Sequence, residues 1–180
     1  MTREKSIMSD SPLDAIFQEH ERQERVYENL EKIADGLPDA VDSNLVTDIL
    51  VYLKQDLAIH FRDEEDGLFP LLTKRALPED HFDEIRTQLQ HEHETDESYA
   101  YELFDALEEI THGVKPKNPN TLGHMLRACF ESHRRHLAWE NAVVLPLAKR
   151  RLTPDDLDKL AQVILKNREN SKRTETTGKN

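Results

Sequence analysis

The sequence predicts an all-α fold, an up-down-up-down four-helix bundle with a short fifth helix at its C-terminal side. The chain of 180 residues has only five glycines, and Val, Ile and Thr form no alternating runs, which disfavours strands. Apolar residues instead recur every three or four positions along four long segments. Because each apolar stripe must be buried against another, four such helices joined by short loops favour a bundle.

The first helix is predicted to begin at Ser11, which can cap its backbone N–H groups, with Pro12 in the first turn. Its apolar stripe comprises Leu13, Ile16, Tyr27, Leu30 and Ala34. His20 lies on the same stripe, with Glu24 one turn further on. The helix is expected to end at Gly36, which begins the sequence Gly-Leu-Pro.

The second helix is predicted to follow Ser43, and its apolar stripe comprises Val46, Ile49, Leu50, Leu53 and Leu57. The spacing of three and four continues through His60 and Glu64, so both side chains are expected to face the interior. Gly67 and Pro70 are then expected to break or bend the helix.

The third helix is predicted to start near Pro78 and the fourth near Asn120 or Thr121. The stripe of the third comprises Phe82, Ile85, Leu89, His93, Asp96, Ala100, Leu103, Leu107 and Ile110. The stripe of the fourth comprises Leu122, Met125, Cys129, His133, His136, Glu140, Val143 and Leu147. A shorter fifth helix is expected after Thr153, where "TPDD" is typical of a helix start.

Length and composition indicate one domain and restrict the classes of molecule that it could bind. We expect residues 11–166 to form the bundle, residues 1–10 to be a flexible N-terminus, and residues 167–180 to be a disordered tail with little to bury. The formal net charge of −12 disfavours nucleic acids and anionic membrane surfaces. No segment approaches the roughly 20 apolar residues of a membrane span. The single cysteine, Cys129, suits a reducing cytoplasm.

The second and fourth helices carry the same spaced pattern. Residues 60–70 and 136–146 both contain a histidine, a glutamate four residues later and a proline six residues after the glutamate. The helix before each pattern contributes one further histidine, His20 and His93, in similar surroundings. The chain therefore looks like a duplicated pair of helices.

This repeat predicts a metal centre inside the bundle. A histidine and a glutamate four residues apart lie on one face of a helix, so both can reach the same point beside it. Buried carboxylates need a partner, because an isolated buried charge costs several kcal/mol. Bundle cores that hold paired metal ions are built in this way, and imidazole with carboxylate suits iron, manganese or zinc. The candidate ligands are His20, His60, Glu64, His93, His136 and Glu140.

Several neighbouring residues leave alternatives open. Glu24 and Glu97 each follow a candidate histidine by four residues, so they are either further ligands or solvated charges. His133 lies on the stripe, but its repeat equivalent is Leu57, which favours a core or supporting role over ligation. His91 is expected to face solvent, because two residues rotate a helix by about 200°. Buried His–Glu hydrogen bonds without metal are the alternative for the whole set.

The ordered motifs resemble the hemerythrin-like (HHE cation-binding) domain over roughly residues 12–165. The resemblance is carried by His20, by "HFRDE" with "LFP", by His93, and by "HLAWE" with "VLP". It implies a four-helix bundle around a non-haem di-iron centre that binds dioxygen or related small molecules, with the six candidate ligands above. Oxygen-carrying members have a second histidine one turn from the third-helix ligand, where this chain has Leu89 and Glu97.

These observations predict a cytoplasmic protein, a monomer or small homo-oligomer, that binds two iron ions, with zinc or manganese as other fitting metals. Its partner would be dioxygen, nitric oxide or peroxide, or iron itself as cargo. One alternative is a di-iron peroxidase or oxidase, in which Glu24 or Glu97 is an extra ligand or proton relay. Another is a structural or interaction bundle that binds zinc or no metal.

Overall fold

The computed structural model describes the backbone of residues 11–177 and the side chains of residues 11–173. Regular structure in this range is helical, with no β-strand among the described residues, which confirms the predicted all-α bundle. The helices are α1 (Pro12–Gly36), α2 (residues 43–75), α3 (Phe82–Thr111), α4 (residues 119–151) and α5 (Pro154–Thr177). Within the described part of the chain, none of them combines the length and the hydropathy needed to cross a membrane.

The helix starts follow local capping chemistry. Asp42 rather than Ser43 caps α2, because its Oδ1 accepts a hydrogen bond from the backbone N–H of Asn44 at 2.9 Å. At the start of α5, the backbone N–H of Thr153 donates to the Asp156 carboxylate at 3.1 Å, and the Asp156 N–H donates to Thr153 Oγ1 at 3.3 Å. This reciprocal pair satisfies backbone donors that have no partner within the helix.

Helices α2 and α4 each contain a wider π-helical turn that begins at the glutamate of the repeated pattern. The turn in α2 is Glu64–Leu68, and the turn in α4 is Glu140–Val144. The backbone N–H of Phe69 bonds to the Glu64 carbonyl, and that of Leu145 bonds to the Glu140 carbonyl, five residues earlier in each case. A further π-helical turn, Tyr52–Asp56, lies nearer the start of α2.

The prolines explain the position of two of these turns. Pro70 and Pro146 lack the backbone N–H of an α-helical hydrogen bond, and a proline ring in an α-helix collides with the carbonyl four residues earlier. Widening the preceding turn relieves that collision. The break or bend predicted for α2 is therefore a local change of helix type, and the helix continues to Arg75.

The described chain divides into two compact units. Among the described residues, the first unit comprises residues 11–20, Ile59–Gln90 and residues 139–177. All five helices contribute to its apolar core, which comprises Leu13, Ile16, Leu68, Phe69, Leu72, Phe82, Leu89, Val144, Leu145, Leu147, Ala148, Leu160 and Ile164. Close packing of these side chains supplies the main stabilisation of this unit.

The second unit comprises Glu21–Ala58 and His91–Ala138, from helices α1 to α4. Its fully buried apolar side chains include Tyr27, Leu30, Ile33, Val46, Ile49, Leu57, Leu103, Leu107 and Leu126. Partly exposed ion pairs join its helices, such as that between Lys54 on α2 and Glu108 on α3 at 3.0 Å. Such pairs add little stability, so the apolar side chains hold this unit together.

Helix α5 has 24 residues and is longer than the sequence predicted. It continues through residues 167–177, which were expected to be a disordered tail. Asn167 is buried and donates from Nδ2 to Asp63 at 3.0 Å, and Arg168 donates to the other Asp63 oxygen at 2.9 Å. Burial raises the pKa of Asp63 to about 7, against the lowering effects of Arg168 and Asn167. The remaining predicted termini, residues 1–10 and 178–180, lie outside the described residues.

Asp80 joins the segment between α2 and α3 to the end of α4. Its carboxylate accepts hydrogen bonds from Arg151 at 2.8 and 3.0 Å and from the backbone N–H of Leu77 at 2.8 Å. These bonds, led by that from Arg151, lower the pKa of Asp80 to about 2. The ordinary aspartate pKa is about 3.9, so this carboxylate stabilises the folded protein above that pH.

We expect Asp80→Asn to lower the free energy of unfolding at pH 7. The deficit relative to the wild type is expected to shrink as the pH falls from about 4 towards about 2, because the wild-type carboxylate then also loses its charge. Urea unfolding at a series of pH values measures this difference. Asp83→Asn, at an exposed position on α3, is the control, and an equal deficit at all pH values would contradict the assignment.

Candidate metal centre

The first unit brings together four of the six predicted ligands. His20 is supplied by α1, His60 and Glu64 by α2, and Glu140 by α4. Each residue is no more than 2% exposed to solvent. One ligand atom from each side chain lies within 4.8 Å of those of the other three. Two imidazoles and two carboxylates therefore converge inside an apolar unit, which is a donor set that a transition-metal ion can use.

The distances within this set suit a shared ion. His20 Nε2 lies 3.6 Å from Glu64 Oε1 and 3.4 Å from Glu140 Oε2, and His60 Nε2 lies 3.4 Å from Glu64 Oε2. All three separations are longer than an ordinary hydrogen bond. Ligand atoms about 2.1 Å from a tetrahedral ion are separated from one another by about 3.4 Å. The residues therefore fit a metal ion.

The two buried carboxylates of this set need a compensating positive charge. Burial by itself would lower the pKa of His20, but the nearby carboxylates of Glu64 and Glu140 raise the pKa above its ordinary value. A cation at this point, either a proton on the imidazole or a metal ion, compensates the buried carboxylates. Metal binding at His20 Nε2 would displace that proton.

Asn141 fixes the orientation of the His20 ring. Nδ1–H of His20 donates to Asn141 Oδ1 at 2.7 Å. With the proton on Nδ1, the lone pair of Nε2 points away from Asn141 and is available to an ion. Asn141 directly follows Glu140, so one turn of α4 supplies both a carboxylate and the partner that orients the histidine.

The second unit places the other two predicted ligands beside each other. His93 on α3 and His136 on α4 are 2% and 3% exposed, and their Nε2 atoms are 3.2 Å apart. This separation allows one ring N–H to donate to the other nitrogen, or both lone pairs to coordinate one ion. Nδ1–H of His136 donates to Glu92 at 3.0 Å, which directs the Nε2 lone pair towards His93.

The other polar residues considered from the sequence lie elsewhere. Glu97 is exposed and Glu24 is half-buried, and neither belongs to the four-residue set. The side chain of His91 is 74% exposed, as its helical position predicted. His133 is buried, and its Nδ1–H donates to the carbonyl of Cys129 at 2.8 Å. Burial lowers the pKa of His133, so the ring is held in its neutral form.

Three polar residues beside the buried histidines were not predicted to take part in the site. Asn141 and Glu92 orient His20 and His136, and each is adjacent in sequence to a predicted ligand. Asp96 is fully buried, and its Oδ1 lies 3.6 Å from Nδ1 of His133. Its position on the apolar stripe of α3 was the available signal, because a carboxylate on such a stripe must be buried.

A buried group of imidazole and carboxylate side chains carried by helices defines a class of metal-binding helical proteins. The profile of one family in this class, described as "Hemerythrin HHE cation binding domain", matches residues 11–148. The chain belongs to this family, which confirms the resemblance inferred from the repeated motifs. No curated protein matches the sequence. The matched region ends before α5.

We expect His60→Ala and His136→Ala each to reduce the metal content of the purified protein, because each removes a buried imidazole donor. Elemental analysis after removal of loosely bound ions measures the metal content, and circular dichroism checks that the variants fold. His91→Ala is the matched control, since it removes an exposed imidazole. Full metal retention in the first two variants would show that the ligand assignment is wrong.

The orienting partners give a separate test. Asn141→Ala and Glu92→Gln leave every candidate ligand in place but weaken the hydrogen bonds that hold His20 and His136. We expect metal affinity to fall by about 10- to 100-fold, as is usual for partners of metal-binding histidines. Competition with a chromophoric chelator measures the affinity. Asn120→Ala, at an exposed position in the first turn of α4, is expected to bind like the wild type.

Proposed function

We propose that this protein binds two iron ions and, through them, a small molecule: dioxygen, nitric oxide or peroxide. One ion would be held by His20, His60, Glu64 and Glu140, and the other would be held at His93 and His136. The observation that carries the proposal is the convergence of four buried ligand atoms within 4.8 Å in the first unit. Membership of a cation-binding family supports it independently.

The chemistry of the donors supports iron. Imidazole nitrogen and carboxylate oxygen together suit both Fe(II) and Fe(III), whereas calcium and magnesium prefer nearly all-oxygen sites. Manganese and zinc also accept this donor set, and zinc at the site is the main competing assignment. When bound, iron would supply an open coordination position and electrons for a small molecule.

The protein's own residues would control access to the ions. The candidate ligands are almost fully buried, and in the first unit they lie on the same helices as a continuous apolar core. Such surroundings limit water while admitting small apolar gases. Asn141 and Glu92 would hold the two rings in place, and displacement of the proton from His20 would couple metal binding to pH.

A binding or sensing role has more support than a peroxidase or oxidase. The enzyme hypothesis used Glu24 or Glu97 as an additional ligand or proton relay, and Glu97 is exposed while Glu24 lies outside the four-residue set. We also propose a cytoplasmic location, where the free thiol of Cys129 would remain reduced.

Anaerobic purification, iron loading and elemental analysis test the proposal. We expect two iron ions per chain, new near-ultraviolet absorption when oxygen or nitric oxide is admitted, and a lower melting temperature after chelation, since an ion that binds only the folded state stabilises it. Electron paramagnetic resonance would report whether the two ions are magnetically coupled.

Three results would contradict the proposal in distinguishable ways. Retention of zinc in the presence of excess iron would support the zinc-binding alternative. Rapid catalytic consumption of hydrogen peroxide by the iron-loaded protein, but not by the His60→Ala variant, would support the enzyme. Substoichiometric metal together with an unchanged melting temperature after chelation would leave a helical scaffold whose buried polar groups bond to one another.

A further inference from the structure

Helix α5 lies outside the region matched by the family, yet it packs along the part of α2 that carries Glu64. Three contacts join α2 and α5 in the first unit, and they show that the two helices run in opposite directions. Arg75 donates to Asp156 at 2.7 and 3.3 Å, near the C-terminal end of α2 and the N-terminal end of α5. The other two contacts lie closer to Glu64.

The second contact is made by a glycine. A Cβ atom placed on Gly67 would lie 2.8 Å from Leu160 Cδ1 and 3.3 Å from Val163 Cγ1, so a larger residue would displace these two side chains of α5. Gly67 belongs to the π-helical turn that begins at Glu64. The absence of a side chain at Gly67 therefore leaves room for the Leu160 and Val163 side chains of α5 against the turn that holds a candidate ligand.

The third contact is polar and buried. Asp63, the residue before Glu64, is 2% exposed and accepts hydrogen bonds from Asn167 at 3.0 Å and Arg168 at 2.9 Å. A buried carboxylate bonded to two residues of another helix has little freedom to move. Asp63 and Gly67 thus connect both ends of the π-helical turn in α2 to α5.

The repeat supplies an internal comparison. The residue of α4 equivalent to Asp63 is Trp139, and the residue equivalent to Gly67 is Val143. The π-helical turn of α4 therefore has neither the small residue nor the carboxylate that α5 contacts in α2. The two halves share the ligand pattern, but only the α2 half carries the residues that receive α5.

We propose that α5 is a positioning element for Glu64, acting through Gly67 and through the contact of Asp63 with Asn167 and Arg168. By fixing the π-helical turn, α5 holds the Glu64 carboxylate at the distances from His20 and His60 that the metal site needs. This inference deepens the proposed function and rests on it for the identity of the ligand, although the restraint on the turn is a property of the metal-free protein as well.

Variants on both sides of the contact between α2 and α5 test the metal-bound state. The double variant Asn167→Leu/Arg168→Leu removes both donors to Asp63, and Gly67→Val introduces the side chain found at the equivalent position of α4. We expect each to weaken Co²⁺ binding by about tenfold or more, and to change the visible spectrum of the bound Co²⁺. Lys166→Leu removes an exposed cation from the same helix and is the control. Arg168→Lys keeps a cation at this position, so its affinity for Co²⁺ is expected to lie between those of the double variant and the wild type.

Hydrogen exchange tests the metal-free state. In these variants of the contact between α2 and α5, exchange of the Phe69 amide, which bonds to the Glu64 carbonyl, is expected to accelerate more than exchange of the Leu145 amide, its equivalent in α4. Equal acceleration at both amides, or unchanged exchange with unchanged Co²⁺ binding, would overturn the inference. If the wild type itself binds no metal, the proposed function fails, and the ratio of the two exchange rates still decides whether α5 restrains the turn.

Discussion

The burial of two carboxylates beside two imidazoles within one helical unit is the constraint on which the candidate site depends. Glu64 and Glu140 are fully buried, and His20 Nε2 lies 3.4–3.6 Å from an oxygen of each. Negative charge in an apolar interior is tolerated only with a compensating cation. The raised pKa of His20 has the same cause, because the two carboxylates favour a positive charge beside them.

The two halves of the repeat share a backbone feature at the buried glutamate as well as the spacing of the ligands. In both halves a π-helical turn begins at the glutamate, and a proline follows six residues later. A proline that an α-helix would exclude thus accompanies the wider turn that carries the carboxylate. Departures from regular helix geometry often occur at functional sites. Here the departure follows from the proline ring, which a regular α-helix cannot accommodate.

Support for the ligands comes from polar residues that differ between the two units. Asn141 orients His20 in the first unit, and Glu92 orients His136 in the second. The amide is neutral, whereas the carboxylate adds negative charge behind the imidazole. The two histidine environments are therefore chemically distinct although the sequence repeats.

The sequence by itself determined the helices and the burial of the six candidate ligands, because apolar periodicity and the repeat are local along the chain. Tertiary structure decided which polar residues support them and how far α5 extends. Asp63 meets Asn167 across 104 positions, and His20 meets Asn141 across 121, so no local pattern reports either pair. It also left Glu97 in solvent, because the rotation of α3 against its neighbours sets which face is covered.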